Sequence, residues 1–138
     1  MVKIQKKDFN IEDEINIIRN RYASIGAVSS FVGYVRDFNE DQEVKYIDLE
    51  VYNEMAIKEL SKIKSVAIEQ SNLIDCLIIH RYGKLYVSDK IVLVSCFARH
   101  RSNSFDGCKY IMDYLKKDAP FWKKEFYSEG SKWLKNIK

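Results

Sequence analysis

The stretch 98–125 constrains the fold of this chain more than any other part of the sequence. It begins with Arg99-His100-Arg101, continues with a pattern typical of a helix up to Lys116-Lys117-Asp118, and then reaches Pro120, the only proline in the chain. A proline cannot continue a helix, and it biases the residue before it away from helical geometry. The chain must therefore turn here, which brings residues 121–125 back towards the end of the helix.

Length and composition predict one folded domain, residues 1–138. The chain has 138 residues, of which 46% are apolar, and can bury a core without cross-links. No apolar run approaches the roughly 18 residues that a membrane-spanning helix needs. The first residues, Met1 to Asp8, lack the apolar stretch of a signal peptide. We therefore expect a cytoplasmic protein that does not bind a membrane.

The cysteines do not indicate a disulfide framework or a metal site. There are three, Cys76, Cys96 and Cys108, and none of them has Cys-x-x-Cys spacing. Cys76 and Cys96 lie in apolar runs typical of strands, where a thiol acts as a small buried hydrophobe. Cys108 lies beside basic residues, so a nucleophilic role for it stays open, although no partner base is evident.

Positive charge is concentrated in the last third of the chain. Residues 99–138 contain ten Lys or Arg against five Asp or Glu, whereas the first 98 residues contain thirteen against fifteen. Such an asymmetry steers an anionic ligand to the C-terminal third. A solvated basic surface has the same composition, so the charge count alone does not identify a site.

Periodicity predicts an α+β fold with a mainly antiparallel sheet and packed helices. The expected strands cover 27–36 and 44–52, joined as a hairpin, followed by 73–81 and 91–98, with a turn at 82–84. The expected helices are 11–20 with Asn10 as N-cap, 54–70 with Ala56, Leu60, Ile63 and Ala67 inward, 102–117 capped by Ser102 with Phe105, Cys108, Met112 and Leu115 inward, and a short one from about 131.

His100 and Arg101 form the first candidate for chemistry. They fall between a predicted buried strand and the start of a helix, where free N–H groups and the helix dipole favour an anion. A guanidinium grips phosphate or carboxylate with two parallel hydrogen bonds. The alternative is structural: an ion pair made by Arg101, and a strand-end role for His100. Spacing alone does not decide between them.

Two lysines on either side of Pro120 form the second candidate. If the chain folds back, Lys123 approaches Lys116, and two neighbouring ammonium groups disfavour each other's charged form, which suits proton exchange near neutral pH. Glu125 then offers the local countercharge. Arg36, at the end of a predicted strand that also carries Phe31 and Gly33, could reach the same anion. Each of these side chains could also be solvated.

A non-catalytic function stays open on these residues alone. A basic module could bind nucleic acid or an acidic protein tail. Phe31, Phe121 and Trp122 could then stack on bases, and Arg101 could bind phosphate. Against it, the cations are confined to one compact unit, and no RNA-binding signature is present.

Several motifs together resemble the catalytic, large subunit of molybdopterin synthase. They cover roughly 26–133 in the family's order and spacing, and the most specific of them is the Lys-x-x-x-Pro-x-Trp-Lys-x-Glu block at 116–125. The motifs are Gly26-Ala27-Val28, Phe31-Val32-Gly33-x-x-Arg36, Ile79-His80-Arg81-x-Gly83, His100-Arg101-Ser102, and Met112-Asp113-Tyr114-Leu115-Lys116-x-x-x-Pro120-x-Trp122-Lys123-Lys124-Glu125.

The resemblance implies an α/β hammerhead fold and a sulfurtransferase activity. Enzymes of this family convert cyclic pyranopterin monophosphate into molybdopterin. The two sulfurs of the dithiolene come from the thiocarboxylate at the Gly-Gly tail of a small ubiquitin-like subunit. The large subunit forms a homodimer within a heterotetramer and uses neither a metal nor an organic cofactor, and the resemblance implies no nucleic-acid partner.

The resemblance also implies a role for each matching residue. Lys116 is the principal catalytic lysine, joined by Lys123. The residues expected to bind the substrate are Arg36, His100 and Arg101 around the phosphate, together with Lys116, Lys123, Lys124, Glu125, Phe31 and Met112.

Overall fold

The computed structural model describes residues 1–40, 42–127 and 130–134. Helices and strands cover most of this part of the chain. In chain order they are β1 (Val2–Gln5), α1 (Ile11–Arg19), β2 (Ala27–Tyr34), β3 (Phe38–Asn39), β4 (Gln42–Val51), α2 (Asn53–Ser71), β5 (Asp75–Arg81), β6 (Gly83–Tyr86), β7 (Lys90–Ala98), α3 (Arg101–Lys117), β8 (Phe121–Tyr127) and β9 (Ser131–Leu134).

A first sheet forms the centre of the molecule, with strand order β1-β5-β7-β2. β1 pairs with β5 in parallel, and the other neighbours in this sheet are antiparallel. β5 and β7 are almost continuously apolar because both of their faces are covered. α2 and α3 pack on one face, and α1 packs on the other around Ile18 and Phe97. The expected α+β class is confirmed.

A second sheet combines strands from the middle and the end of the chain, with strand order β3-β4-β8-β9 and with β6 also paired to β4. These pairings are antiparallel. The chain passes from the first sheet to the second at Gly83, whose positive φ of 86° suits glycine. The expected turn at 82–84 therefore continues directly into β6.

The predicted hairpin between 27–36 and 44–52 is wrong. Both strands form, but β2 pairs with β7 of the first sheet, and β4 pairs within the second sheet. The pairing register shifts between Gly33 and Tyr34, and the chain then leaves the first sheet. Sequence proximity favoured a hairpin, but burial of β2 beside the apolar β7 determines its partner.

Local helix signals are accurate in α1 and α2. The Asn10 side chain accepts a hydrogen bond from the Asp13 N–H at 2.9 Å and caps α1 as predicted. The predicted inward stripe of α2 is confirmed, since its buried residues are Ala56, Leu60, Ile63 and Ala67. α2 ends at Asn72, which has a left-handed φ of 52°.

α3 differs from its prediction at its N-cap and along most of its inner face, although Leu115 is buried as predicted. Its N-cap is His100 rather than Ser102, and its buried residues are Ser104, Gly107, Ile111 and Leu115. Phe105, expected to face inward, is 62% exposed. The cause is Gly107: a Cβ at this position would lie 2.7 Å from Cδ1 of Leu73, so glycine lets the helix approach α2's end closely. The apolar pattern favoured the larger side chains instead.

The predicted C-terminal helix from about 131 is wrong within the described residues. Ser131–Leu134 is β9, paired with β8. Gly130, with a φ of 99°, accepts a hydrogen bond from the Tyr127 N–H at 3.0 Å and reverses the chain. Residues 135–138 of the predicted helix lie outside the described part.

The three cysteines and the helices α1 to α3 lie in the described part of the chain. Cys76 and Cys96 are buried in strands, as expected, and the structure places them opposite each other on β5 and β7; Cys108 is half-buried, and all three are free thiols. No helix in the described ranges is long and apolar enough to cross a membrane.

His80 makes the stability of this fold dependent on pH. Its imidazole is fully buried and stacks on Phe121 with ring centroids 3.7 Å apart. Its Nδ1 lies 2.8 Å from the Arg81 carbonyl oxygen, to which the neutral ring donates, and its Nε2 has no partner among the described residues. Burial lowers the pKa of His80 to about 4, against a weaker opposing effect of that hydrogen bond.

We expect acid to destabilise the protein through His80. The unfolded chain takes up the proton near pH 6.5, whereas the folded chain does so only near its lowered pKa, so stability falls as the pH drops between these values. From pH 7 to pH 4.5 this group removes about 2 to 3 kcal/mol. Urea unfolding of the wild type and of His80→Phe at both pH values measures this loss. The other titrating groups are the same in the two proteins, so the difference in pH dependence reports His80. Equal pH sensitivity of the two proteins would contradict this account.

Candidate functional site

The candidate site begins as a groove between β2 and α3. Ser29 Oγ and Ser104 Oγ are 2.8 Å apart near the start of the two elements. Further along, Phe31 and Met112 line the same open groove. β2 and α3 therefore run in the same direction, and their C-terminal ends point towards the same edge of the molecule. Lys116, one turn beyond Met112, continues this face of the helix and is exposed.

A small cavity lies where β2 ends. Arg36 shares it with Lys123 and Glu125 of β8, while Tyr34, Val35, Phe38, Ile47 and Ile91 complete the lining. Its volume is about 20 Å³. A bicyclic ligand of the kind that the resemblance implies needs a site of several hundred Å³, so this cavity alone cannot hold it.

Strand geometry explains how β8 presents its charged residues. The chain turns at Pro120, and successive side chains of the strand then point to opposite faces. Phe121, Lys123 and Glu125 face inward, and the last two are only 6% and 4% exposed. Lys123 Nζ lies 3.4 Å from Glu125 Oε2. A buried ammonium requires such a countercharge, because removing it from water is costly.

Glu125 is held by two further side chains. Asn39 Nδ2 and the Tyr127 hydroxyl each donate to its Oε1, both at 2.6 Å. Burial alone would raise the pKa of Glu125, but the hydrogen bonds from Tyr127 and Asn39, together with the charge of Lys123, leave that pKa below its usual value. Burial and the neighbouring Glu125 carboxylate raise the pKa of Tyr127 to about 12. The result is a persistent carboxylate beside Lys123.

Lys124 lies on the other face of the same strand. Its ammonium is 5.2 Å from the ring centroids of both Phe126 and Trp133. Alternation along β8 therefore separates Lys124 from Lys123 and Glu125, and its role in substrate binding stays a prediction.

His100 and Arg101 lie at the opposite end of α3 from Lys116. Sixteen residues of helix at 1.5 Å each separate His100 from Lys116 by about 24 Å. Both are exposed. Gly26 packs directly on the Arg99 carbonyl, where a Cβ would overlap it, and this contact holds the strand end that precedes His100.

One chain alone does not bring all of these groups into one cavity, because α3 is too long. The structure brings Arg36, Lys123 and Glu125 together. It places Phe31, Met112 and Lys116 along the groove, and it leaves His100 and Arg101 at the far end.

Sequence reasoning missed Asn39 and Tyr127. Tyr127 lies two residues beyond Glu125 on the same strand face, so alternation could have found it. Asn39 belongs to a strand of two residues and contacts Glu125 across 86 positions, and no local pattern indicates that contact. Within the described ranges, no group of three or more His, Cys, Asp or Glu could hold a metal ion.

Comparison with known proteins decides the family. A family model described as MoaE protein matches residues 4–118. The chain belongs to the MoaE family. It is 45% identical to a molybdopterin synthase catalytic subunit of Ralstonia nicotianae, over 96% of this chain and 76% of the relative. The family resemblance that the motifs indicate is therefore confirmed.

Two solved structures extend the comparison to the fold. The molybdopterin biosynthesis MoaE protein from Burkholderia ambifaria is 40% identical with a TM-score of 0.87, and the match covers 100% of this chain and 90% of that chain. Molybdopterin synthase from Staphylococcus aureus is 30% identical with a TM-score of 0.87, over 96% and 95%. These matches agree with the α+β class and show that the chain has the fold of MoaE proteins.

The buried pair predicts a specific response to mutation. Glu125→Gln leaves the Lys123 ammonium buried without this countercharge, which should lower the free energy of unfolding by about 3 kcal/mol. Adding Lys123→Met to that variant should recover most of the loss, because the buried charge is then gone. Urea unfolding of the two single variants and the double variant measures the coupling.

An exposed pair on the same sheet provides the control. Glu43→Gln, which removes the partner of Lys45 at the surface, should change the free energy of unfolding by less than about 1 kcal/mol. A Glu125→Gln effect as small as this control would refute the importance of the buried pair.

Proposed function

We propose that this chain acts as the catalytic subunit of a molybdopterin synthase. It transfers sulfur from the C-terminal thiocarboxylate of a small ubiquitin-like protein to cyclic pyranopterin monophosphate, forming the dithiolene of molybdopterin. The observation that carries this proposal is the buried Lys123–Glu125 pair beside Arg36, in a chain 45% identical to a named catalytic subunit. The named relatives favour this function over a non-catalytic basic module.

The substrate is an anionic phosphate fused to a flat heterocycle. Arg36 offers a guanidinium that binds phosphate with two hydrogen bonds. Phe31 and Met112 offer an apolar groove wall to the ring system. Lys116 lies on the same helix face as Met112, at the end of the groove nearest Arg36. These positions let one substrate contact the cation at one side and the apolar wall at the other.

The proposed chemistry assigns separate tasks to the two lysines. The thiocarboxylate sulfur attacks a ring carbon of the substrate, and Lys116 donates a proton to the departing oxygen. Lys123, paired with the Glu125 carboxylate, stabilises negative charge that develops during the attack. Water then cleaves the acyl–sulfur bond and frees the small subunit, and a second donor repeats the cycle. Neither a metal nor an organic cofactor of this subunit takes part.

A homodimer would complete the site. His100 and Arg101 are about 24 Å from Lys116 in one chain, so they can join it only from a second copy. β2 is an edge strand of its sheet, and Val28, Phe31 and Tyr34 on it are 37%, 42% and 51% exposed. Exposed apolar edge strands are commonly covered by a partner. We propose that the phosphate-binding His100 and Arg101 of one protomer serve the lysines of the other.

Removing either lysine should abolish most sulfur transfer. Lys116→Ala and Lys123→Ala should each lower the single-turnover rate by about 100-fold or more, since each removes a proton donor or a charge from the reacting centre. The measurement is dithiolene formation from the thiocarboxylated small subunit and the cyclic precursor. Lys62→Ala, which removes an exposed lysine of α2 away from the groove, is the control. Wild-type rates in both lysine variants would refute the mechanism.

Mixing two inactive variants tests the shared site. Lys116→Ala and His100→Ala should each be inactive alone, but a mixture refolded or exchanged to equilibrium should recover about a quarter of wild-type activity, since half of the dimers are mixed and each has one intact site. Activity that stays at the level of the separate variants would show that each protomer supplies its own His100. Size-exclusion chromatography of the mixture confirms that dimers are present.

A further inference from the structure

The two oxygens of the Glu125 carboxylate have different partners. Asn39 and Tyr127 both donate to Oε1, each at 2.6 Å, whereas Lys123 lies 3.4 Å from Oε2. Two donors on one oxygen fix the plane of the carboxylate and leave the other oxygen directed at the lysine. A carboxylate held only by Lys123 would be free to rotate away from this orientation.

Asn39 is delivered to this point by a specialised turn. It ends β3, a strand of two residues, and the next residue, Glu40, has a left-handed φ of 51°. A non-glycine residue in this region costs about 1 kcal/mol. Lys132 of β9 forms an exposed ion pair of 3.2 Å with Glu40, which adds little stability. The pairing of Asn39 with Gln42 between β3 and β4 places the turn on the same sheet that carries Glu125.

Neither donor loses its proton over the pH range of the proposed reaction. The amide of Asn39 does not titrate, and burial beside Glu125 raises the pKa of Tyr127 to about 12. Both hydrogen bonds favour the charged form of Glu125 over the neutral acid. The orientation and the ionisation of the carboxylate thus depend on the same two groups.

We propose that Asn39 and Tyr127 are positioning residues for sulfur transfer, which hold the Glu125 carboxylate ionised with Oε2 directed at Lys123. The reaction named here rests on the proposed function, whereas the hydrogen-bond network does not. Neither residue touches the reacting atoms, and both act through Glu125 on the charge of Lys123.

Other charged and titratable groups also face Glu125. They are needed to interpret any pH profile, because each contributes to the field at the carboxylate. They are Lys123 and Tyr127 on β8, Arg36 and Tyr34 at the end of β2, Glu40 after β3, and Lys132 opposite Glu125 on β9. The test variants leave all of these except Tyr127 unchanged.

Two nearly isosteric variants test the proposal. Tyr127→Phe removes one hydroxyl, and Asn39→Asp replaces a donor with a like charge, so neither opens a cavity. Loss of one hydrogen bond to a carboxylate should raise the pKa of Glu125 by about one unit, and Asn39→Asp should raise it further. Titration of the Glu125 side-chain carboxyl carbon by ¹³C NMR, assigned with Glu125→Gln, measures this in the intact protein.

The same variants should alter catalysis in a matching way. The acid limb of the pH profile for sulfur transfer should move upward by the shift seen for the carboxyl, so a shift of one unit should lower kcat by up to about tenfold at pH values below the pKa of Glu125 and leave it nearly unchanged at pH 7. KM should stay within about twofold, because the phosphate is bound by Arg36 and not by this network. Tyr86→Phe, an exposed tyrosine on the outer face of the second sheet, controls for loss of a hydroxyl.

The possible outcomes distinguish a failure of the positioning proposal from a failure of the proposed function. An unchanged Glu125 titration in Tyr127→Phe would overturn the proposal, and so would a shifted titration with an unshifted pH profile. A wild-type protein that transfers no sulfur would instead refute the proposed function, while the NMR titration would still decide whether the network controls Glu125. If Asn39→Asp does not fold, as judged by circular dichroism, Tyr127→Phe carries the test alone.

Discussion

A buried ammonium is the constraint on which the site depends. Lys123 faces inward because β8 alternates after the turn at Pro120, and a charge in that position is stable only with a countercharge at hand. Glu125, two residues later on the same face, supplies it. Asn39 and Tyr127 then satisfy the oxygen that the lysine does not reach. The second sheet is therefore needed to assemble this buried ion pair, because its strands bring these groups together.

The sequence predicts most accurately what is encoded locally. The cap at Asn10 and the inward stripe of α2 follow from residues a few positions apart, and both are confirmed. The partner of β2 is determined by β7, which lies far along the chain, so the predicted hairpin with 44–52 was a reasonable but wrong inference. The predicted inward stripe of α3 is right at Leu115 and one position off at its other three residues, because Gly107, which carries no apolar side chain, lies at the point of closest packing.

The candidate site shows the same division. The resemblance supplies the residue types, and the fold brings three of them, Arg36, Lys123 and Glu125, to one cavity. What sequence reasoning could not supply is distance. No local pattern compares the distance between the two ends of α3 with the size of a ligand. None connects Asn39 to a carboxylate 86 positions away. Distances between residues on different strands depend on which strands pair, and the pairing of the strands was the part of the fold that the sequence predicted least well.

α3 has a consequence for how this chain can vary. It is one uninterrupted helix, seated on Leu73 through Gly107, with chemically different groups at its two ends. A helix of this kind fixes the distance between His100 and Lys116. A single inserted residue beyond the seat would rotate the lysine by about 100° around the axis and aim it elsewhere. Length changes should therefore be tolerated in the surrounding loops and not within this helix.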